Sequence, residues 1–476
     1  MRTGLSCYLL AGILALNPVT PAQADDLPLI ASSSGTISLE QEFQLGRTWA
    51  RLLRGQAPEY GDPLIVNYID GLLWQIAASS QLQDHRLELI VLDNPALNAF
   101  AVPGGVVGIN AGLLLGAKDE AELASVIAHE LAHLSQRHYA QQLEESRRNT
   151  PLMLAGILAS ILVASADAQA GMAGITSSMA AGQQAGINFT RRNEQEADRI
   201  GMLNLVNSGF DPYAMPRMFS RIQRSGRFIG QKPPEFLLTH PVTESRIADA
   251  ENRASQLPKP AFKPQRYNFQ LIRKRIEVHY TSDLRQLIKT YQESAESNPM
   301  SRYGLALALM QNRDFQQATQ TLNGLPDNLR QHLYVRLSYA ELELAAAEPE
   351  KALQRLELLN KLYPDSYPVR QLYAKALRAN NQFKKSARIL TELSQQHPSN
   401  SYIWYQLAET QGLAGNTLGV HEARIEYFLL IGATDKALRQ IDFALREKGL
   451  TSSDIAQLEE RKREAEAIRD QIKNSL

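Results

Sequence analysis

The sequence predicts a mainly α-helical protein with a small β-sheet, in which a mixed domain is followed by an all-α solenoid. Three observations support this fold class: helical periodicity over residues 119–144, a short strand pattern and a Pro-Gly-Gly turn ahead of it, and a 34-residue repeat in the C-terminal half. We divide the chain into a signal peptide, the mixed domain, a linker and the repeat domain, at residues 1–24, 25–257, 258–266 and 267–476.

Charge and length restrict the possible functions. The chain has 50 Lys and Arg residues against 50 Asp and Glu residues, so it carries no formal net charge. A balanced charge gives no general reason to expect nucleic acid or an anionic surface as the partner. The 476 residues are enough for two to three domains with well-buried cores.

The first 24 residues have the composition of a cleaved secretory signal. Arg2 supplies a positive end, residues 5–16 form a short apolar stretch, and Ala22-Gln23-Ala24 is a small-residue cleavage site. The single cysteine, Cys7, lies inside the apolar stretch. We therefore expect a secreted mature protein without cysteine, whose fold depends on its cores and not on disulfides.

Two helices and a strand are expected next. The run EQEFQLGRTWARLLR after Ser38 has helical spacing of its apolar residues, and Asp62-Pro63 opens a second helix at the position where the missing N–H of proline costs least. Apolar and charged residues then alternate over residues 86–91, which indicates a strand.

Residues 98–110 predict two short strands joined by a tight turn at Pro103-Gly104-Gly105. Such an edge strand can hold an extended peptide through main-chain hydrogen bonds. An ordinary hairpin is the alternative. The candidate substrate-binding residues of this edge are Asn98, Phe100, Val102, Gly104 and Gly105.

The main chemical motif is His129-Glu130-Leu131-Ala132-His133, inside the helical run. Its two histidines are four residues apart, so both imidazoles lie on one helix face and can reach a single Zn²⁺. Glu130 lies next to the open coordination position, where a carboxylate can take a proton from water. With nine histidines in the chain, a chance match is improbable once a third ligand is found.

The segment Asn193-Glu194-Gln195-Glu196-Ala197-Asp198 supplies a third ligand. Glu194 and Asp198 share one helix face, and we assign Glu194 to zinc and Asp198 to a ligand histidine's other ring nitrogen. Glu196 is the competing ligand, although an ideal helix turns it about 200° away from Glu194. Two histidines, one glutamate and water form an open hydrolytic site of the zincin type, with one zinc per chain.

The three motifs NAFAVPGG, HELAH and NEQEAD, in this order, resemble the gluzincin metallopeptidases related to HtpX and the CAAX prenyl protease. The resemblance covers about residues 38–255. Those relatives carry transmembrane helices, whereas this sequence has a signal peptide and no convincing span. It is more similar to a soluble periplasmic branch that joins such a domain to a helical repeat array.

This resemblance implies further roles. The His-Pro pair at His240 would lie at the active site and fill the fourth zinc position in a resting state, leaving it for hydrolysis. Asp198 is sometimes given a proton-donor role in the family. The resemblance also implies a periplasmic location, outer membrane protein clients, chaperone-like help in their assembly, and contact with the β-barrel assembly machinery through the repeat groove.

Residues 152–187, between the zinc motifs, are rich in Ala, Gly, Met and Ser. Their longest apolar stretch has fifteen residues, from 152 to 166, which is shorter than the roughly twenty of a membrane-spanning helix. A helical hairpin that covers the site is the first interpretation. Peripheral contact with a membrane or a membrane-bound client is the second.

A 34-residue period follows the proline-rich linker LPKPAFKPQ. This period with small residues at helix crossings is typical of tetratricopeptide repeats, which stack into a solenoid with a concave groove. Residues 271–297 and 423–447 are candidates for a degenerate first unit and an offset last unit. The positions that keep the step are Ala306, Ala340, Ala374 and Ala408, Leu322, Leu356 and Leu390, and Leu325, Leu359 and Leu393.

The sequence therefore predicts a zinc metalloendopeptidase. His129, His133 and Glu194 are the expected ligands, and Glu130 and Asp198 the expected catalytic carboxylates. The competing hypothesis is a repeat-based adaptor or chaperone whose zinc site is vestigial or structural. A membrane-embedded prenyl-type protease is disfavoured because the expected spans are missing.

Overall fold

The computed structural model describes residues 37–141, 183–225, 235–258 and 267–475. Parts of the sequence-based interpretation lie outside the described residues: the signal peptide at 1–24, the covering segment at 152–182 and linker residues 259–266. Within the described residues, no helix is long and apolar enough to cross a membrane.

A three-stranded sheet is made by β1 (Glu88–Leu92), β2 (Ala99–Val102) and β3 (Val106–Asn110). β3 lies in the centre, parallel to β1 and antiparallel to β2. The predicted turn joins β2 to β3, where Gly104 has a φ of 77°, a conformation that glycine adopts without a steric penalty. β2 is therefore an edge strand, as the turn pattern predicted.

Both faces of β1 are covered, although its sequence pattern contains a charged residue. Val91 belongs to the main core, while Ile90 packs against α1. Glu88 lies on the α1 side, where it is buried and forms ion pairs with Arg47 and Arg54. A charged residue in the alternating pattern thus marks a buried ion pair and not a solvent-exposed face.

The first two helices of the mixed domain begin with capping side chains. Ser38 caps the first helix in a capping box with Gln41, and Asp62 accepts hydrogen bonds from the first turn of the second. The helices are α1 (Leu39–Gln56), α2 (Pro63–Ala77), α3 (Leu113–Gly116), α4 (Glu120–Ser135), α5 (Gln183–Asn207), α6 (Ala214–Ser225), α7 (Glu235–Thr239) and α8 (Glu244–Gln256).

The C-terminal half is a succession of helices, as the repeat predicted. The alanines and leucines that keep the 34-residue step are all buried where consecutive helices pack. The helices are α9 (Asn268–Tyr280), α10 (Leu284–Ser294), α11 (Pro299–Gln311), α12 (Phe315–Asn323), α13 (Asp327–Arg330), α14 (Leu333–Ala345), α15 (Pro349–Leu362), α16 (Tyr367–Ala379), α17 (Phe383–Gln396), α18 (Ser401–Leu413), α19 (Thr417–Leu430), α20 (Thr434–Ala444) and α21 (Ser452–Ser475).

The two halves are packed against each other. Helix α2 contacts α9 and α16, and α1 contacts α19 and α21, so early and late repeats both touch the mixed domain. One hydrophobic cluster runs from Tyr60 to Ala376 across both halves. The predicted fold class, a mainly α protein with a small sheet followed by an all-α solenoid, is confirmed.

Candidate metal centre

Helix α4 positions both histidines of the His-x-x-x-His motif. Asp119 caps it by accepting a hydrogen bond from the Glu122 N–H at 2.9 Å. The helix is surrounded by α2, α5, α6 and β2, so His129 and His133 are buried. The predicted helical run to residue 144 is interrupted: α4 ends at Ser135, and Arg137 has a left-handed φ of 53°.

Helix α5 brings Glu194 and Asp198 against the same face of α4. The two helices approach closely at Gly201, where a Cβ atom would lie 3.0 Å from the Cα of His129 and from the Ala128 carbonyl oxygen. Because a side chain at this position would push the helices apart, Gly201 keeps Glu194 within reach of the imidazoles.

Four buried ligand atoms converge between the helices. The Nε2 atoms of His129 and His133 are 3.1 Å apart, and His133 Nε2 lies 3.3 Å from Glu194 Oε1. His240 Nδ1 lies 2.9 Å from the same carboxylate oxygen and 3.4 Å from His129 Nε2. Tetrahedral zinc with nitrogen and oxygen ligands at its usual bond lengths requires ligand atoms about 3.3 Å apart. The quoted distances are close to this value, and all four ligand atoms lie within 4.8 Å of one another, so the four side chains can hold one metal ion.

Glu130 lies beside this cluster with one oxygen unengaged. Its side chain is buried, and Oε1 has no hydrogen-bond partner among the described residues. Burial raises the pKa of Glu130 above its usual range, although His240, His129 and the Ala101 N–H act in the opposite direction. A carboxylate with a raised pKa, next to a metal position, is suited to accept a proton from water.

Asp198 lies next to the imidazole of His129 on the side away from the cluster. Its Oδ1 atom lies 3.1 Å from His129 Nδ1, so the other ring nitrogen faces the ligand cluster. Burial by itself lowers the pKa of His129, but contacts with Asp198 and Glu194 outweigh it and raise the value to about 10. Burial likewise raises the pKa of Asp198, but His129 and Arg246 outweigh it and lower the value. The position fits an orienting carboxylate.

His133 is oriented by a residue that the sequence did not suggest. Nδ1 of His138 lies 3.0 Å from His133 Nδ1, and His138 Nε2 lies 3.5 Å from Glu196. Burial lowers the pKa of His133 to about 3, which favours the neutral, metal-binding imidazole. Glu196, the competing third ligand, therefore lies behind His138 and outside the cluster that contains Glu194.

His240 lies at the end of α7, with its ring in the cluster. Its Nε2 atom is 3.7 Å from Glu130 Oε1, so the imidazole stands between the Glu130 carboxylate and the other ligand atoms. The turn that follows, at Pro241, leads into α8. The sequence placed His240 here only through the family resemblance.

The predicted edge strand β2 lies against α4, but the residues that we expected to bind substrate do not direct their main-chain groups towards its open edge. The Asn110 N–H donates to the Asn98 carbonyl at 3.1 Å, so Asn98, Phe100 and Val102 direct their main-chain groups towards β3. The alternate residues, Ala99 and Ala101, direct theirs outwards.

The glycines of the turn also have a different role from the one expected. A Cβ at Gly104 would lie 2.4 Å from the Glu42 carbonyl oxygen, and one at Gly105 would lie 2.8 Å from that of Arg86. The backbone that approaches these glycines is therefore the protein's own. Space for another chain must be sought along Ala99 and Ala101.

Two arginines near the centre were missed by sequence reasoning. Arg246 binds Asp198 through two hydrogen bonds of 2.7 Å and lies 2.8 Å from Glu194 Oε2. Arg137 donates from Nε to Glu42 at 2.7 Å and ties the end of α4 to α1. The only local sign of Arg246 was its position six residues after His240, which by itself predicts nothing.

Comparison with known proteins follows the same division of the chain. The sequence model of peptidase family M48 matches residues 66–254, and that of a tetratricopeptide repeat matches residues 343–410. The chain is 35% identical to the β-barrel assembly-enhancing protease of Escherichia coli K12, covering 99% of this chain and 98% of that protein. This chain belongs to peptidase family M48.

Other relatives have the same or a shorter match. The β-barrel assembly-enhancing protease of Yersinia pestis is 35% identical over 97% of this chain and 96% of its own length. The mitochondrial metalloendopeptidase OMA1 of Schizosaccharomyces pombe is 33% identical over 40% of this chain and 56% of its own length. The predictions of a metalloendopeptidase and of tetratricopeptide repeats are thereby confirmed.

Proposed function

We propose that this M48 peptidase is a zinc-dependent endopeptidase of the periplasm that acts on outer membrane proteins during their assembly. His129, His133 and Glu194 are the proposed zinc ligands, and His240 is the fourth ligand of a resting state. The observation that carries the proposal is the convergence of four buried ligand atoms next to the Glu130 carboxylate.

Bound zinc would act as a Lewis acid towards a peptide carbonyl and make water more acidic. Glu130 would then accept a proton from the attacking water and deliver it to the leaving amine. Its raised pKa favours the first step, because a carboxylate with a higher pKa binds a proton more readily. Asp198 has both oxygens bound to Arg246, so we assign it the orientation of His129 rather than proton donation.

Substrate would be held along β2 as an added strand. The outward main-chain groups are those of Ala99 and Ala101, and the Ala101 N–H also reaches Glu130. A peptide paired with this edge would therefore run next to the proposed base. Asn98, Phe100, Val102, Gly104 and Gly105 would shape this edge from within the protein.

His240 must leave the cluster before a substrate can enter. Its ring stands between Glu130 and the other ligand atoms, so it excludes water from the position that hydrolysis needs. We propose that this is a resting state that limits proteolysis of unfolded proteins in the same compartment.

The proposed location and clients come from the signal-like N-terminus and from the relatives. The relatives in Escherichia coli and Yersinia pestis bear the name β-barrel assembly-enhancing protease. By analogy we propose outer membrane protein clients, a chaperone-like contribution, and contact with the β-barrel assembly machinery through the repeats.

The test is zinc content and casein hydrolysis of the mature protein and two variants. We expect one zinc per chain in all three, an activity loss of about 10²- to 10⁴-fold in Glu130→Gln, and a gain in His240→Ala. Glu251→Gln, on the exposed side of α8, is the matched control and should retain full activity.

Two results would contradict the proposal. A native protein without zinc, or equal hydrolysis by Glu130→Gln, would remove the peptidase mechanism. If Glu130→Gln also restored every defect of a strain that lacks the gene, the adaptor hypothesis would replace it, with the repeats as the functional part.

A further inference from the structure

The Arg246 side chain contacts three structural parts of the centre at once. Its Nε and Nη2 atoms donate to the two oxygens of Asp198, each at 2.7 Å. Its Nη1 atom donates to the Pro241 carbonyl oxygen at 2.9 Å and lies 2.8 Å from Glu194 Oε2. One guanidinium group therefore contacts a proposed zinc ligand, the residue that orients another ligand, and the turn that carries His240.

The position of Arg246 in the chain makes these contacts possible. Thr243 caps α8 and accepts a hydrogen bond from the Arg246 N–H, which places Arg246 in the first turn of the helix. Its side chain points back under the turn and stacks against Phe219, with its central carbon 4.9 Å from the ring centre. The side chain is 5% exposed, so water does not compete for its contacts.

We propose that Arg246 is a positioning residue that couples the resting position of His240 to the zinc ligands. This inference rests on the proposed function, because it names the residue that holds His240 in its resting position. A single atom of Arg246 makes both contacts that this coupling needs, because Nη1 lies next to Glu194 and donates to the Pro241 carbonyl. When His240 withdraws with its turn, Nη1 loses the carbonyl and remains with Glu194 alone.

Lysine cannot replace arginine in this arrangement. An ammonium group is a point charge, whereas the planar guanidinium group directs separate N–H donors at Asp198 and at the carbonyl. Arg246→Lys keeps the positive charge next to the buried carboxylates but loses the simultaneous contacts. It therefore separates the geometry of Arg246 from its charge.

The experiment is a double-mutant cycle on zinc release. Wild type, Arg246→Lys, His240→Ala and the double variant are loaded with zinc and mixed with a chromogenic chelator, and the release rate is measured. Groups that support metal ligands typically contribute 10- to 100-fold to metal affinity. We therefore expect Arg246→Lys to release zinc faster than the wild type by about this factor. Arg253→Lys, on the same helix, is the matched control, because the ion pair that Arg253 forms within the described part of the chain is with exposed Asp249.

Coupling predicts that the two substitutions are not additive. His240→Ala should accelerate zinc release in the wild-type background. In the Arg246→Lys background the same substitution should also accelerate it, but the ratio of the two rates should be smaller by more than about twofold. Equal factors in both backgrounds would overturn the proposal, because Arg246 would then act on Asp198 and Glu194 alone. Unchanged release in Arg246→Lys would overturn it as well.

A second variant keeps the test valid if Arg246→Lys does not fold. Pro241→Gly loosens the turn without altering the guanidinium or its carboxylates, and Pro241 is exposed. Pro241→Gly should accelerate zinc release in the same direction as His240→Ala, with no further effect when both are combined. Release at the wild-type rate would overturn the proposal. A wild-type protein without zinc would instead overturn the proposed function first, which distinguishes the two failures.

Discussion

Arg246 and Arg275 are both buried between two carboxylates, but they lie in different parts of the molecule. Arg246 contacts Glu194 and Asp198 at the metal centre. Arg275, on α9, donates to Asp62 at 2.7 Å and to Glu341 at 2.7 and 2.9 Å, and thereby joins the first repeats to the peptidase domain. In both cases burial alone lowers the pKa of the arginine, but the carboxylates outweigh it and raise the pKa.

The difference lies in what the carboxylates touch on their other side. Asp198 and Glu194 contact imidazoles, so we infer that Arg246 helps to direct the proposed metal ligands. Asp62 instead caps α2 by accepting a hydrogen bond from the Leu64 N–H at 2.9 Å, and so Arg275 fixes a helix end. The same ionic chemistry therefore surrounds the proposed metal centre in one place and attaches the repeats in the other.

The largest expected effect separates the two clusters. Arg275→Ala leaves Asp62 and Glu341, whose side chains are only 17% and 16% exposed, without their cation, which should lower the free energy of unfolding by about 3 kcal/mol. Urea denaturation measures this loss, and metal analysis should still find one zinc in the folded protein. Loss of zinc from folded Arg275→Ala would show that the two clusters are not independent.

Asp198→Asn should have the converse effect. The amide weakens the contacts with His129 and Arg246, so we expect zinc affinity to fall about 10- to 100-fold, measured by chelator competition. Without metal, the Asp198→Asn variant should lose less free energy of unfolding than the Arg275→Ala variant. Zinc affinity equal to that of the wild type would contradict the orienting role of Asp198.

Glu341→Gln tests whether one carboxylate is enough at the domain junction. Asp62 stays next to Arg275 and the amide oxygen can still accept a hydrogen bond, so the expected loss of unfolding free energy is about 1 kcal/mol. Thermal denaturation with and without chelator measures it. A loss as large as that of Arg275→Ala would mean that Asp62 contributes little.

Arg253→Ala should have the smallest effect. Arg253 and Asp249 form an exposed pair four residues apart on α8, with side chains 41% and 44% exposed. Exposed pairs of this kind contribute about 0.3–0.5 kcal/mol, and salt screens them. A larger change in stability or any change in zinc binding would show that α8 transmits effects that the contacts around Arg246 do not explain.

The same contrast explains what could be read from the sequence. His129, His133 and Glu194 were found because helical periodicity fixes which side chains share a face. The alanines and leucines of the repeats were found because their period is constant. Both patterns are local, and a local pattern is visible in one sequence.

Arg246, His138 and Arg275 could not be predicted in this way. Their partners are distant in sequence or on another helix, and arginine is usually exposed to solvent. The outward residues of β2 were missed for a different reason. Which alternate residues pair with β3 depends on the register, and a shift of one residue reverses the assignment of Asn98 and Ala99.

The most direct test of the metal centre is anomalous X-ray diffraction at the zinc edge from crystals of the mature protein. We expect one peak about 2.0–2.2 Å from the ligand atoms of His129, His133, Glu194 and His240. A crystal without a zinc peak at this position, or with zinc bound elsewhere in the chain, would contradict the proposed centre and the mechanism that depends on it.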